Sequence, residues 1–500
     1  MREAPALVRR HVHEIATIGQ PVSMESWDVV VIGSGPSALR AAIACADGGV
    51  NPLMIDELGV GSASGANPVA GLAASIDEMD SKSHAEDTLI YGGDAVDESV
   101  ASSVCKEGVN TLAELERWGL VLRRREGGLP FASIAPGHKS ARLTGCGDST
   151  VREITRVLEE QVIKRGIRRN TDSLPLALVT DNNQVRGIII LDIISGEVSP
   201  IQAKAVILAT DGHQGIWSSP SNGAGTGSVL AMMAGVKLRG MELTPKHPLS
   251  VEDFGIDIPM DVLGVGGRIR RENGEDVGPE EVLEGEKCIL DLRGIDTDSM
   301  VWFSQTSSRV KDRLGIDISR DVIPISPNVA FTIGGVPSDE SGRVIFDGFT
   351  DEGLPARLWF TGLYAVGRSA NSGMHGEAPL PGNLLLEELV TGKLAGSHAS
   401  EWASEAKFGG EEMFEAAVDE SSRKISSLHD PTGIPIVQFS SELTSAICSE
   451  AQNTSLDKIR DIRKSGLSLS DESQVMNTEV VEAIRLQGMA ALAESILGGG

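Results

Sequence analysis

The stretch Trp27 to Glu57, WDVVVIGSGPSALRAAIACADGGVNPLMIDE, constrains the fold more than any other part of the chain. Val29 to Ile32 is a short β-branched run of the kind that forms a fully buried strand. Gly33, Ser34, Gly35, Pro36, Ser37 and Ala38 then make a tight turn. Ala38 to Ala46 has the small-residue and leucine content of a helix packed closely on a sheet. Leu53 to Ile55 reads as a second strand, with Asp56 and Glu57 at its end. This is a βαβ unit with G-x-G-x-x-A at its first turn and an acid about 20 residues on, the arrangement that binds dinucleotides. Gly33 permits the turn, and Gly35 lets backbone approach a pyrophosphate whose charge rests on the helix N-terminus. Asp56 or Glu57 can accept hydrogen bonds from ribose hydroxyls.

Charge and cysteine usage narrow the function classes. A net charge of −27 argues against nucleic acid and against adhesion to anionic membrane. Cys45, Cys105, Cys146, Cys288 and Cys448 are scattered and form no C-x-x-C pair, so no disulfide framework, zinc site or iron–sulfur cluster is expected within the chain. No stretch approaches the ~20 apolar residues that span a bilayer. Arg9-Arg10 is followed by no apolar run, so residues 1–25 read as an extension rather than a signal peptide.

Further along, residues 58–76 form a small-residue loop suited to close backbone approach. Helical patterns cover about 82–118 and Val151 to Lys164, with an irregular stretch from Phe131 to Thr150. Leu174 to Thr180, Val185 to Ser195 and Gln202 to Leu208 read as three strands, the first two joined by an Asn182-Asn183 turn. The third runs into Ala209-Thr210-Asp211-Gly212. A glycine-rich turn and an Ala/Met-rich helix occupy 221–240, and a mixed segment with charged loops at 271–287 occupies 241–336. Leu358 to Val366 is a strand ending at Gly367, and Pro381-Gly382-Asn383 opens a helix from Leu384. His11, His13 and His84 fit no partner pattern and read as surface residues.

Together these stretches resemble the flavoprotein subunits of succinate dehydrogenase and fumarate reductase, with L-aspartate oxidase as a relative. VVVIGSGPSALRAA resembles the family's FAD-binding start and AVILATDGHQG its ATGG strand. GAGTGSVLAMMAGVKLRGMELTPKHPLS resembles the stretch ending in FHPTG, and NVAFTIGGVPSDESGRV resembles HYTMGGI. LWFTGLYAVGRSANSGMHGEAPLPGNLLLEELVTGKLAG resembles YAAGE, HGANRLGGNSLL and the helix that follows, and MNTEVVEAIRLQGMAALAESIL the C-terminal helical region.

The resemblance implies an α/β fold: a doubly wound FAD-binding domain with a β-meander (26–236 and 337–400), an inserted α+β capping domain (237–336) and a helical domain (401–500). FAD would be held by Gly33 to Ala38, by Asp56 and Glu57, by Ser62, Ser64, Ala70 and Gly71 of the second loop, by Ala209, Thr210 and Asp211, and by Gly367 and Arg368. Asn383, Leu384 and Leu385 would bring a helix N-terminus, with its positive dipole end, to the flavin pyrimidine edge. Ser64 matches the position where some relatives carry the histidine that bonds flavin, so non-covalent FAD is expected. The implied activity is hydride transfer between flavin N5 and a small organic acid such as succinate or fumarate. The implied partner is an iron–sulfur subunit, on the cytoplasmic side and peripheral to the membrane through other subunits. A non-catalytic relay subunit and an L-aspartate oxidase are the alternatives.

The dicarboxylate clamp departs from the family. His247 matches the substrate histidine, but the Thr-Glu pair that follows it falls on Pro259 and Met260. The histidine of HYTMGG falls on Ala330 and the arginine of NRLGG on Pro379. The segment carrying the catalytic arginine is missing, and the glutamate of YAAGE is Arg368. Pro, Ala and Met offer no side-chain donor. Arg239, Arg268, Arg270, Arg309, Arg368 and His375 are the basic groups available to replace the clamp. Arg368 and His375 lie in stretches that approach the flavin in the family and are the preferred catalytic candidates beside His247.

Overall fold

The computed structural model describes residues 24–59, 70–252, 254–350, 352–429, 432–449, 452–471 and 473–498. Ser62, Ser64, His11 and His13 lie outside them. In chain order the elements that position the site are β1 (Glu25–Ile32), α1 (Pro36–Asp47), β2 (Pro52–Ile55), α2 (Glu78–Gly92), α3 (Glu98–Arg117), α4 (Thr150–Lys164), β3 (Arg168–Asn170), β4 (Ser173–Asp181), β5 (Gln184–Asp192), β6 (Val198–Leu208) and α5 (Thr226–Met233). There follow β7 (His247–Val251), β8 (Arg268–Arg271), β9 (Cys288–Asp291), β10 (Ile323–Asn328), β11 (Arg343–Phe349), β12 (Pro355–Ala365) and α6 (Asn383–Glu405). The helices α7 (Glu412–Ser426), α8 (Ile436–Ile447), α9 (Gln452–Ser465) and α10 (Thr478–Gly498) complete the chain.

The main sheet has a parallel core in the order β12–β6–β1–β2–β3. Val30 sits between Leu53 of β2 and Val206 of β6, and Val29, Val30 and Val31 are wholly buried. A strand covered on both faces reads as a continuous apolar run, as this one does. β6 serves two partners. Its first half, Val198 to Gln202, pairs antiparallel with β5, and its second half, Val206 to Leu208, pairs parallel with β12. The meander β4–β5–β6 thus leans off the parallel core. Its first turn holds Asn182 and Asn183 at φ +49° and +58°, the left-handed pair that a two-residue hairpin requires.

A second, antiparallel sheet places β7, β10, β9 and β8 side by side, with two-residue strands at either edge. Its core includes Leu249, Ile258, Leu290, Phe303 and Ile323. The charged stretch 275–286 contains a helical turn, Pro279–Leu283, rather than loop alone.

The alanine-rich face of α1 meets a helix as well as the sheet. α6 crosses it so closely that a Cβ on Gly396 would lie 2.3 Å from the Ala41 carbonyl oxygen, and one on Gly392 2.5 Å from that of Ser37. This crossing fixes the N-terminus of α6 relative to the turn after β1. Gly396→Ala therefore forces the two helices apart and should cost about 1–3 kcal/mol in urea denaturation, in keeping with other overpacked cores.

Candidate functional site

The turn after β1 is wedged between strand ends. Gly33 has φ +129°, and a Cβ there would lie 2.2 Å from the Ala209 carbonyl oxygen. Its N–H donates to Ile55 at 2.9 Å. At Gly35 a Cβ would meet nothing within 4 Å, because this position faces the cleft. α1 begins directly after Gly35 with no side-chain cap, so its first N–H groups are left for a ligand. That is the chemistry a pyrophosphate needs.

Gly33, Ser34, Gly35, Pro36, Ser37, Asp56, Glu57, Ala209, Thr210, Asp211 and Arg368 all line one cleft. Ala38 is buried inside α1 and contributes packing only. The two acids after β2 separate in role. Glu57 is already held by Arg485 of α10 through both Nε and a terminal nitrogen, and by Thr226 Oγ1 at 3.3 Å. Asp56 is buried, accepts from Leu58 N–H at 3.1 Å, lies beside the Ser34 hydroxyl, and has no partner for Oδ2 in the hydrogen-bond geometry of the described residues. A buried, unpaired carboxylate oxygen at the end of β2 is the acceptor that a ribose hydroxyl would satisfy. Burial raises the Asp56 pKa to about 6. It does the same for Asp211, where Arg368 opposes the shift and Glu388 adds to it.

A second cavity opens beyond Arg368 and Glu388, which line both spaces. Ala70, Gly71, His247, Leu384 and Leu385 lie around it. α6 starts at Asn383 after Gly382, again with no side-chain cap. Asn383 itself faces away from that cavity into a buried network. His84 Nε2 donates to Asn383 Oδ1 at 2.7 Å, and Asn383 Nδ2 donates to Thr88 Oγ1 at 2.9 Å. Beside it His138 Nε2 donates to the Pro381 carbonyl at 2.8 Å. Burial lowers the His84 pKa to about 4 and also lowers that of His138, so both rings are neutral hydrogen-bonding struts. His84 is thus no surface residue: it is 0% exposed and holds the N-terminus of α6. The signal for it was present in the buried stripe Ser81, His84, Ala85, Thr88 on α2, spaced by three, one and three.

Gly71 N–H donates to Asp261 Oδ2 at 2.7 Å, and burial raises Asp261 to about 6. Neither this anchor nor Arg485 carries a local sequence signal, since their partners lie 190 and 428 residues away.

The two preferred histidines do not share a cavity, although Arg368 borders the space of each. His247 is buried, and its Nε2 donates to the Ile258 carbonyl at 2.8 Å; burial lowers its pKa, so the ring is neutral. Arg368 Nε donates to Glu388 Oε1 at 2.8 Å. His375 donates to Glu387 at 2.8 Å, and Ser372 donates to the same carboxylate. His375 lines a separate hollow with Arg239, away from His247. Arg268 and Arg270 pair with Asp276, and Arg270 also with Asp291, on the antiparallel sheet. Gly367 lies against Ser37 and Glu388 and borders the hollow of His375. Pro379 and Met260 line the cavity of His247 where the clamp side chains were sought.

The FAD binding domain family matches residues 28–385. The succinate dehydrogenase flavoprotein subunit of Rickettsia bellii is 25% identical over 93% of this chain and 86% of its own. An uncharacterised FAD-dependent oxidoreductase of Methanocaldococcus jannaschii is 30% identical over 76% of this chain and 73% of its own. Among solved structures, the FrdA chain of E. coli quinol fumarate reductase superimposes with a TM-score of 0.86 at 23% identity, covering 95% of this chain and 89% of that one.

Two outcomes follow from the carboxylates. Asp56→Asn should weaken FAD binding by about tenfold, since an acceptor is lost from a charge-assisted bond, whereas Glu57→Gln should act mainly on the α10 contact; fluorescence titration of ligand-free protein with FAD separates them. Folding raises the pKa of Asp211 from 3.8 to about 6, so its ionised form destabilises the ligand-free fold at neutral pH. Asp211→Asn should therefore stabilise ligand-free protein by about 1–3 kcal/mol at pH 7.5. In melts across pH the advantage shrinks as pH falls through 6 and is gone below 3.8.

Proposed function

This chain belongs to the FAD-binding family of succinate dehydrogenase and fumarate reductase flavoprotein subunits, and from that premise we propose that it moves hydride between FAD and a small unsaturated or saturated organic acid. The protein is an FAD-dependent oxidoreductase. The observation that carries the reading is that the two cavities adjoin, with Arg368 and Glu388 as shared lining. Together the two spaces cover the uncapped α1 turn and Asp56 on one side and the uncapped start of α6 and His247 on the other. When bound, FAD supplies hydride exchange at N5. The chain's own groups would seat the adenosine ribose on Asp56 and the pyrophosphate on the N–H groups of α1. The pyrimidine edge would lie against the backbone of Leu384 and Leu385, whose helix end favours negative charge there. His247, kept neutral with its Nε2–H given to Ile258, would shape the substrate space with its ring face and Nδ1 rather than donate to a carboxylate.

The Rickettsia bellii relative is named as a flavoprotein subunit. An iron–sulfur subunit is the proposed electron partner, with this chain peripheral to the inner face of the membrane. Among the described residues no helix is long and apolar enough to cross a bilayer. Ser64 in the second loop supports non-covalent FAD, because serine offers no nitrogen for flavin attachment.

Acid precipitation of the holoprotein should release all of its flavin into the supernatant; flavin retained in the pellet would contradict non-covalent binding. The activity itself is tested anaerobically: reduce the bound flavin and add a panel of unsaturated acids. Return of the oxidised absorbance bands within minutes supports hydride exchange. A flavin that no member of the panel reoxidises points to a relay subunit instead.

A further inference from the structure

The cavity beside His247 has the wrong lining for a dianion. Pro248, Met260, Phe331, Pro379 and Leu380 form its walls. Arg368 is committed to Glu388, and His247 is neutral. Two carboxylates, Glu377 and Glu388, face the same space, so Lys246 and Arg368 leave it with no surplus positive charge. Lys246 stands exposed at the rim with no carboxylate partner among the described residues. One carboxylate of a substrate can reach that ammonium. A second one, pushed in among proline, methionine and phenylalanine, would be stripped of water with no cation to pair it, the hydroxyls of Tyr91 and Thr244 being the neutral donors on that lining.

We propose that this cavity takes an α,β-unsaturated monocarboxylate with an apolar body, its carboxylate on Lys246 at the mouth and its alkyl or aryl part against Met260, Phe331 and Pro379. The inference rests on the hydride-transfer reading above and specifies its substrate class. In the reductive direction the β-carbon gains hydride, the α-carbon gains a proton from solvent, the C=C bond becomes single, and the reduced flavin gives up two electrons. Specificity then comes from the residues that replaced the clamp: an apolar wall selects for apolar area and rejects the second charge.

The test is a titration of the oxidised, FAD-loaded full chain with cinnamate and, separately, fumarate, following perturbation of the flavin absorption bands. Half-saturation by cinnamate should come at a concentration at least about tenfold lower than by fumarate. Lys246→Met should raise the cinnamate value several-fold, and Pro379→Arg should narrow the preference by adding a cation to the wall. Fumarate binding as tightly as cinnamate would overturn the inference, as would a cinnamate value untouched in Lys246→Met. If reduced flavin is reoxidised by fumarate and not by cinnamate, hydride transfer stands and the substrate class falls. If neither compound perturbs the flavin or reoxidises it, both fall.

Discussion

The contact on which the rest depends is the seating of Gly33 against the carbonyl of Ala209. It brings the ends of β1 and β6 within van der Waals distance and leaves the turn no room for a side chain. Asp56 follows from β2, whose register with β1 runs Val29–Pro52 to Ile32–Ile55. The wall opposite follows too. Thr210 N–H donates to Ser369 Oγ at 2.8 Å, and Gly227 N–H to Thr210 Oγ1 at 2.9 Å, so the β6 end, the loop after β12 and the start of α5 close around one cleft. Backbone geometry settled in the first turn thereby sets the position of residues more than three hundred positions later.

Arg368 is the point where this chain departs most from the pattern it resembles. A cation stands where the resemblance implies a glutamate, and it has a buried partner in Glu388 and a neighbouring acid in Asp211. The charge is thereby neutralised locally and serves as the partition between the two cavities rather than as a free anion-binding group. Met260 and Pro379 give that cavity an apolar wall at positions where the resemblance implies clamp side chains. A site whose wall lacks free cations would have to draw its selectivity from shape and desolvation, which discriminate between one charge and two more strongly than between alkyl groups.

Local signals carried most of the framework. The βαβ unit was legible because strand, turn, helix and acid follow one another within a few dozen residues, each with its own physical signature. The meander was legible because Asn182-Asn183 can take the left-handed pair that joins its first strands. What lay hidden depends on contacts between distant segments. Asp56 and Glu57 are adjacent and equivalent by type, and only Arg485 of the last helix, closing on Glu57, distinguishes them. His84 looked like an isolated polar residue until Asn383 was placed beside it. The basic candidates could be named but not assembled: His247 and His375 line different spaces, both bordered by Arg368, a separation that spacing along the chain does not encode.

The most direct measurement is a crystal structure of the protein soaked or grown with FAD. The account predicts the adenine ribose on Asp56, the pyrophosphate on the first N–H groups of α1, and the flavin pyrimidine edge at Leu384 and Leu385 with His247 facing the remaining space. FAD lying with its ribose on another residue, or with its ring outside the cavity that His247 lines, would contradict it.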